Sequence, residues 1–237
     1  MIINHRYKFI FFKTRKTAGT SIEIALSQFC DKNDVITRIT KEDEKKRRKL
    51  GFPGPQNYIT PLKHYQKADW INLIKKAQPK SFQNHSTAAF IKKNIPEEIW
   101  ENYYKFTFER NPFDKAISRY YWSTRFSDSR ISITNYLNTA EIYLLSNWEN
   151  YTINDHIVMD FVGFYENLND DLEKVQKKLG LPSELKLPQT KSNYRKNKDH
   201  YSNLLDAEAR SRIEIVCAKE IRAFDYHWKQ AKENGIK

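Results

Sequence analysis

Residues 7–12, YKFIFF, form an unbroken apolar and aromatic run of strand length, the pattern of a strand buried on both faces of a parallel sheet. After the polar stretch KTRKTAGTS, Ile22, Ala25, Leu26 and Phe29 recur at helical spacing, with Thr20 or Ser21 placed to cap the helix. The same order returns later: YYKFTF at 103–108 predicts a second buried strand, ERNP breaks it, and a helix follows from Phe113 to Trp122. DFVGFY at 160–165 predicts a third strand, NLNDDLEKVQKKLGLP a helix closed by Gly180 and Pro182, and DAEARSRIEIVCAKEIRAF a long C-terminal helix. DWINLIKKA and STAAFIKKN read as short helices, the latter capped by Ser86, and PEEIWENY places Pro96 in a first helical turn beside acids.

Strands alternating with helices predict an α/β fold: a single domain over 1–237 with a central parallel sheet flanked by helices. From Asp31 to about Pro61 the pattern dissolves into charge, KEDEKKRRK and then GFPGP. A charge run is ordinarily a solvated face, so 31–61 reads as a charged, mobile surface insertion. No internal repeat and no linker interrupts the rest.

Composition narrows the class. Hydrophobic residues are 39% and aromatics 14% of the 237 residues, too apolar for a disordered chain. A net charge of +12 predicts an anionic partner: nucleic acid, a membrane surface or a small phosphorylated ligand. Cys30 and Cys217, the only cysteines, give no disulfide framework and no Cys-rich zinc site. The N-terminal MIINHRYKFIFF carries no signal-peptide cleavage pattern, and no stretch approaches the ~20 apolar residues of a membrane span. The expectation is a cytoplasmic protein without a transmembrane segment.

The turn after the first strand carries the chemistry. A helix N-terminus leaves backbone N–H groups unpaired and holds roughly half a positive charge, which together suit an anion. Gly19 would let the backbone approach a bound group, Thr20 and Ser21 supply hydroxyls, and Lys16 supplies a mobile cation. Phosphate or sulfate is the indicated ligand. A nucleoside-triphosphate loop needs its Lys after the second glycine, whereas Lys16 precedes Gly19, which disfavours a nucleotide kinase.

KTAGTS resembles the 5′-phosphosulfate loop of sulfotransferases that use 3′-phosphoadenosine 5′-phosphosulfate (PAPS). The resemblance is closest to the carbohydrate O-sulfotransferase branch, in a bacterial form related to heparan sulfate 2-O- and chondroitin sulfotransferases, and implies a P-loop-like nucleotide-binding fold. Many of those proteins have Pro before the Lys; here Arg15 stands there. The resemblance implies donor contacts from Lys16, Thr17, Ala18, Gly19, Thr20 and Ser21. FTFERNPFDKAISRYYW resembles the family's 3′-phosphate segment, with Arg110 and, eight residues on, Ser118 in the phosphate-binding positions. A guanidinium matches phosphate with two parallel hydrogen bonds and a hydroxyl adds a third. DFVGFYENLNDDLEKVQKKLGL and KSNYR also resemble the family, and in relatives the late region closes over the nucleotide, which makes Lys191 and Arg195 candidates for the 3′-phosphate.

Sulfuryl transfer to an alcohol needs a base for the hydroxyl proton and a donor at the leaving oxygen. Lys16 suits the leaving side. His85, in FQNHSTAAF, lies in an order resembling bacterial relatives whose His precedes a small-residue helix and the 3′-phosphate strand; His64, in LKHYQKAD, is the reserve. No metal is implied, since no His, Asp and Glu cluster has ligand spacing. The resemblance thus implies a PAPS-dependent O-sulfotransferase, with a saccharide or small-molecule acceptor and adenosine 3′,5′-bisphosphate as product. The alternative is a basic nucleic-acid-binding module, motivated by the charge and by 14 Tyr and 5 Trp, but no aromatic-basic motif of a recognised kind supports it and no nucleic acid is expected. Oligomeric state stays open.

Overall fold

A computed structural model describes residues 1–127, 129–188, 197 and 199–230. Chain order is β1 (Ile2–Asn4), β2 (Phe9–Phe12), α1 (Gly19–Ser27), β3 (Val35–Ile36), α2 (Lys41–Lys49), α3 (Lys67–Lys76), α4 (Ala88–Asn94), α5 (Glu97–Asn102), β4 (Tyr104–Glu109), α6 (Pro112–Ser123), α7 (Ile133–Leu137), α8 (Trp148–Tyr151), β5 (Thr152–Ile153), β6 (His156–Ile157), β7 (Phe161–Phe164), α9 (Leu168–Leu179), α10 (Ala207–Val216) and α11 (Ala218–Ala223). The chain divides into two compact units: a sheet unit of Met1–Thr14, Ala18–Glu109 and Glu149–Thr190, and a helical unit of Arg15–Thr17, Arg110–Trp148 and Lys191–Lys237.

The sheet unit holds a five-stranded sheet in the order β3-β1-β2-β4-β7 and a separate antiparallel pair, β5 with β6. β2 pairs parallel with β4, in the register Phe11 to Phe106, and β4 pairs parallel with β7. β1 is antiparallel to both β2 and β3, so the expected parallel sheet is a mixed one with a single reversed strand. The short link between β1 and β2 explains the reversal, because a tight turn can join only antiparallel neighbours. Successive residues of β2 face opposite ways: Phe9 and Phe11 enter one core with Ile22, Leu26 and Val175, and Ile10 and Phe12 enter another with Ile91 and Trp100. A strand apolar at every position needs cover on both faces, here α1 and α9 on one side and α4 and α5 on the other.

The helical unit packs α6, α7 and α10 through Phe113, Ile117, Tyr136, Leu137 and Ile213. The expected long C-terminal helix is two, α10 and α11, broken where Cys217 leaves helical geometry at ψ 22°. Neither cysteine forms a disulfide, and burial pushes the Cys30 thiol up to about 12. α4 is capped by Thr87, which accepts from the Phe90 amide at 3.2 Å, and not by Ser86.

The charged 31–61 segment carries β3 at the sheet edge and the helix α2. Most of α2 faces water, as a charge run should, but Asp43 and Arg47, one turn apart, are buried. Arg47 reaches Glu23 of α1 at 3.1 Å with both side chains fully buried. Among the described residues no helix is long and apolar enough to cross a membrane.

Candidate functional site

Open α/β sheets meet ligands beyond the carboxyl ends of parallel strands, and β2 and β4 are such neighbours. Threonines lace their ends: Thr107 Oγ1 donates to the Phe12 carbonyl at 2.8 Å, and Thr14 Oγ1 donates to the Phe108 carbonyl. Beyond Thr14 the backbone turns with Lys16 at φ 64° and Ala18 at φ 60°, two non-glycine residues in the left-handed region. Each such residue costs about 1 kcal/mol or more, so the surroundings must hold the turn. Left-handed residues in a turn gather N–H groups into a concavity suited to an anion.

α1 begins at Gly19 with Ala18 as N-cap and no side-chain cap. Thr20 and Ser21 therefore sit in the first helical turn instead of closing it, as the sequence pattern had suggested. Gly19 also has a packing use. A Cβ there would stand 2.9 Å from Lys13 Cγ and 3.2 Å from the Thr14 carbonyl oxygen, so the glycine lets α1 start against the strand end.

Lys13 is the organising residue of the sheet unit. Its ammonium lies 2.8 Å from Glu23 Oε2 and donates to Asn84 Oδ1 at 3.0 Å. Its carbonyl is 3.0 Å from His85 Nδ1. A carbonyl only accepts, so Nδ1 carries the proton and Nε2 is the basic nitrogen of neutral His85. Asn150 steadies the same segment by donating to the His85 carbonyl at 2.8 Å. The His64 carbonyl accepts from Lys80 Nζ at 2.9 Å in a short 3₁₀ turn, but the buried Nε2 of its ring has no hydrogen-bond partner among the described residues. Burial would raise the Glu23 carboxyl, but Lys13, the α-amino group of Met1 and Arg47 outweigh it and hold it down at about 2.

In the helical unit, Arg110 is buried and its Nη1 donates to the Lys16 carbonyl at 3.0 Å. Its Nε donates to Asp114 Oδ2 at 2.9 Å, and Nη2 meets the same oxygen. Asp114, Ser118 and Trp122 follow at four-residue intervals on one face of α6. The Lys16 ammonium lies 5.5 Å from the centre of the Trp122 ring, a cation–π distance. Lys16 thus touches Arg110 through its backbone and Trp122 through its side chain, and the half-buried Ser118 shares the stripe between. Lys16 and Arg110, 94 residues apart, are brought together, and Ser118 lies on the α6 face that carries Asp114 and Trp122.

Asn147 holds the residue before Lys16 by both ends: its Oδ1 accepts from the Arg15 amide at 2.9 Å and its Nδ2 donates to the Arg15 carbonyl at 3.2 Å. Glu220 Oε1 in turn accepts from the Asn147 amide at 2.9 Å. Burial, and then the charge of Arg119, lower the pKa of the Arg15 guanidinium. Lys13, Asp114, Trp122 and Asn147 escaped the sequence reading. Only Lys13, a lone cation closing an apolar strand, offered a signal. Lys191 and Arg195 lie outside the described residues.

A model of the sulfotransferase family matches residues 1–227. The chain belongs to the sulfotransferase family. It is also similar to an uncharacterized protein of Archaeoglobus fulgidus, 37% identical over 116 residues, which are 46% of this chain and 97% of that protein. For this sulfotransferase-family chain the two turns described above lie within the matched span, and so does His85. Among the described residues no three His, Cys, Asp or Glu side chains gather as a metal site.

Proposed function

We propose that this protein is a cytoplasmic enzyme that transfers the sulfuryl group of PAPS to a hydroxyl of a carbohydrate or glycolipid acceptor. The observation that carries the reading is the turn at 15–21, where left-handed Lys16 and Ala18 lead into a helix start that no side chain closes. Family membership supports the reaction type, and a turn of this kind is suited to an anion such as the 5′-phosphosulfate.

In this reading the amides of residues 17–21 and the hydroxyls of Thr20 and Ser21 hold the phosphosulfate. Arg110 and Ser118 take the 3′-phosphate. The acceptor oxygen forms its bond to sulfur as the bond between sulfur and the bridging oxygen breaks. Lys16 donates a hydrogen bond to that leaving oxygen as its charge grows. His85 Nε2 takes the acceptor's proton, an assignment supported by the Nδ1 bond to the Lys13 carbonyl. Arg110 has a second task, because it also braces the Lys16 carbonyl.

Calorimetry with adenosine 3′,5′-bisphosphate, followed by turnover of PAPS over a panel of saccharides, tests the reading. Saturable binding and sulfated product are expected; a chain that binds single-stranded nucleic acid but not the bisphosphate would reverse the conclusion. His85→Ala should keep bisphosphate affinity while kcat falls at least ~10²-fold, with His64→Ala much milder. The opposite ranking would move the base to His64.

A further inference from the structure

α3 buries none of its residues, although it carries four large apolar side chains. Lys67, Trp70, Ile71 and Ile74 fall at the i, i+3, i+4, i+7 spacing of one helical face. Trp70 is 42%, Ile71 44% and Ile74 79% exposed, and the segment leading to the helix adds Ile59 at 50% and Leu62 at 56%. That segment is fastened to the far end of the helix: the Thr60 amide bonds the Lys80 carbonyl at 2.9 Å, and Ile59 pairs with Ser81. Exposed apolar side chains concentrated in this way mark an interaction surface.

The rim of the patch selects the partner. Lys63, Lys67, Lys75 and Lys76 are exposed around it. The one acid between 59 and 80 is Asp69, and its Oδ2 is committed to the Gln66 amide at 2.8 Å and to Lys80 Nζ at 3.1 Å. A second copy of this chain would set lysines against lysines, and an apolar protein face would leave them without counter-charges. A lipid surface with anionic headgroups satisfies both parts. Ile and Leu enter the acyl boundary, Trp sits at headgroup level, and the lysine stems lie along the apolar surface with their ammonium groups at the phosphates. Ten residues are far too few to span a bilayer and enough to lie in its plane.

We propose that α3 and the segment before it dock this protein on an anionic lipid surface, with α3 lying in the headgroup plane. The inference does not depend on the sulfuryl-transfer reading, and its test reads lipid binding alone. Co-sedimentation is measured with vesicles of phosphatidylcholine and of phosphatidylcholine mixed with phosphatidylserine. The chains compared are the wild type, Trp70→Ala with Ile74→Ser, and Lys75→Glu with Lys76→Glu, with circular dichroism confirming that each is folded.

The wild type is expected to prefer the serine-containing vesicles by about tenfold or more. The apolar double variant keeps the full positive charge, so a loss of about tenfold or more in it identifies α3 instead of the net charge at large. The lysine variant should lose a similar factor, and raising the salt should erase the difference from wild type. Wild-type partitioning that ignores phosphatidylserine, or an apolar variant that binds as well as wild type, overturns the proposal. So does a dimer in sedimentation velocity that Ile74→Ser dissolves in a chain with no lipid affinity, which would assign the face to a second copy.

Discussion

The turns that follow β2 and β4 lead into helices by opposite means. After β2 the chain passes through two left-handed residues and starts α1 without a side-chain cap. After β4, Asn111 caps α6 by accepting from the amides of Phe113 at 3.0 Å and Asp114 at 3.4 Å, and Pro112 occupies the first helical turn, where a missing N–H costs nothing. The start of α6 is thus closed by its own chain. One strand-turn-helix pattern therefore yields two kinds of anion grip in the proposed function: backbone N–H groups at the first turn, and the side chains of Arg110 and Ser118 at the second.

The two turns are also braced differently, and that difference gives the largest expected effect. Under the first lies Glu23, fully buried between Lys13 and Arg47, whereas Asp114, which holds Arg110, is 24% exposed. Glu23→Ala would take the shared carboxylate from the buried Lys13 and Arg47 and should cost about 3–5 kcal/mol, against about 1.5–3 kcal/mol for Asp114→Ala, which removes the charged hydrogen bonds of one buried cation, Arg110. Denaturant titration of both variants checks the ranking, and equal losses would show that Glu23 is not the brace. The Glu23 carboxyl is depressed from 4.5 to about 2, so its stabilisation is present above the unfolded value. It should be lost as pH falls from about 4.5 toward 2, and the Glu23→Gln variant should show a flatter loss across that window.

Next in size is Lys16. Lys16→Ala should lower PAPS turnover by roughly 10²–10³-fold, the scale of one lost transition-state donor, without altering the melting temperature comparably. Turnover near wild type would remove Lys16 from the chemistry.

How much of this was legible follows from locality. The chemistry of the first turn is written in adjacent residues, and both buried strands announce themselves as apolar runs, so their placement could be read directly. Asn147 lies 132 residues from the Arg15 it grips, and nothing in SNWENY marks it. Arg47 sits in a run whose other charges face water, so its burial against Glu23 is decided by tertiary packing and not by composition. β1 is three residues long, too short for any periodicity to separate it from the lead-in to β2. The cap of α1 was misread for the opposite reason: two good capping residues were present, but Gly19 packs tightly enough on Lys13 to start the helix before them.

Arg110 sharpens the comparison because the structure gives it a bracing role besides the proposed phosphate contact. Removing hydrogen bonds to a charged group costs about 1.5–3 kcal/mol, so Arg110→Ala should weaken adenosine 3′,5′-bisphosphate by roughly tenfold or more. Adenosine 5′-phosphate lacks the 3′-phosphate and should be weakened far less. Equal losses for the two ligands, measured by calorimetry, would mean that Arg110 acts only through the Lys16 carbonyl.

The smallest effect isolates the caps themselves. Asn111→Ala removes the acceptor for two amides of α6 and should cost about 1 kcal/mol, or about 2–4 °C in melting temperature for a chain of this size. Thr20→Ala removes a hydroxyl from the first turn of a helix that no side chain caps, so its effect on melting should be smaller. The order should reverse for the donor: Thr20→Ala should weaken adenosine 5′-phosphosulfate, which reports on the first turn alone, while Asn111→Ala leaves that affinity nearly unchanged. The contrast turns on which helix start the chain closes for itself. If Thr20→Ala instead lowers the melting temperature as much as Asn111→Ala and leaves phosphosulfate binding intact, the first turn is an ordinary capped helix start, and the distinction between a backbone grip and a side-chain grip fails.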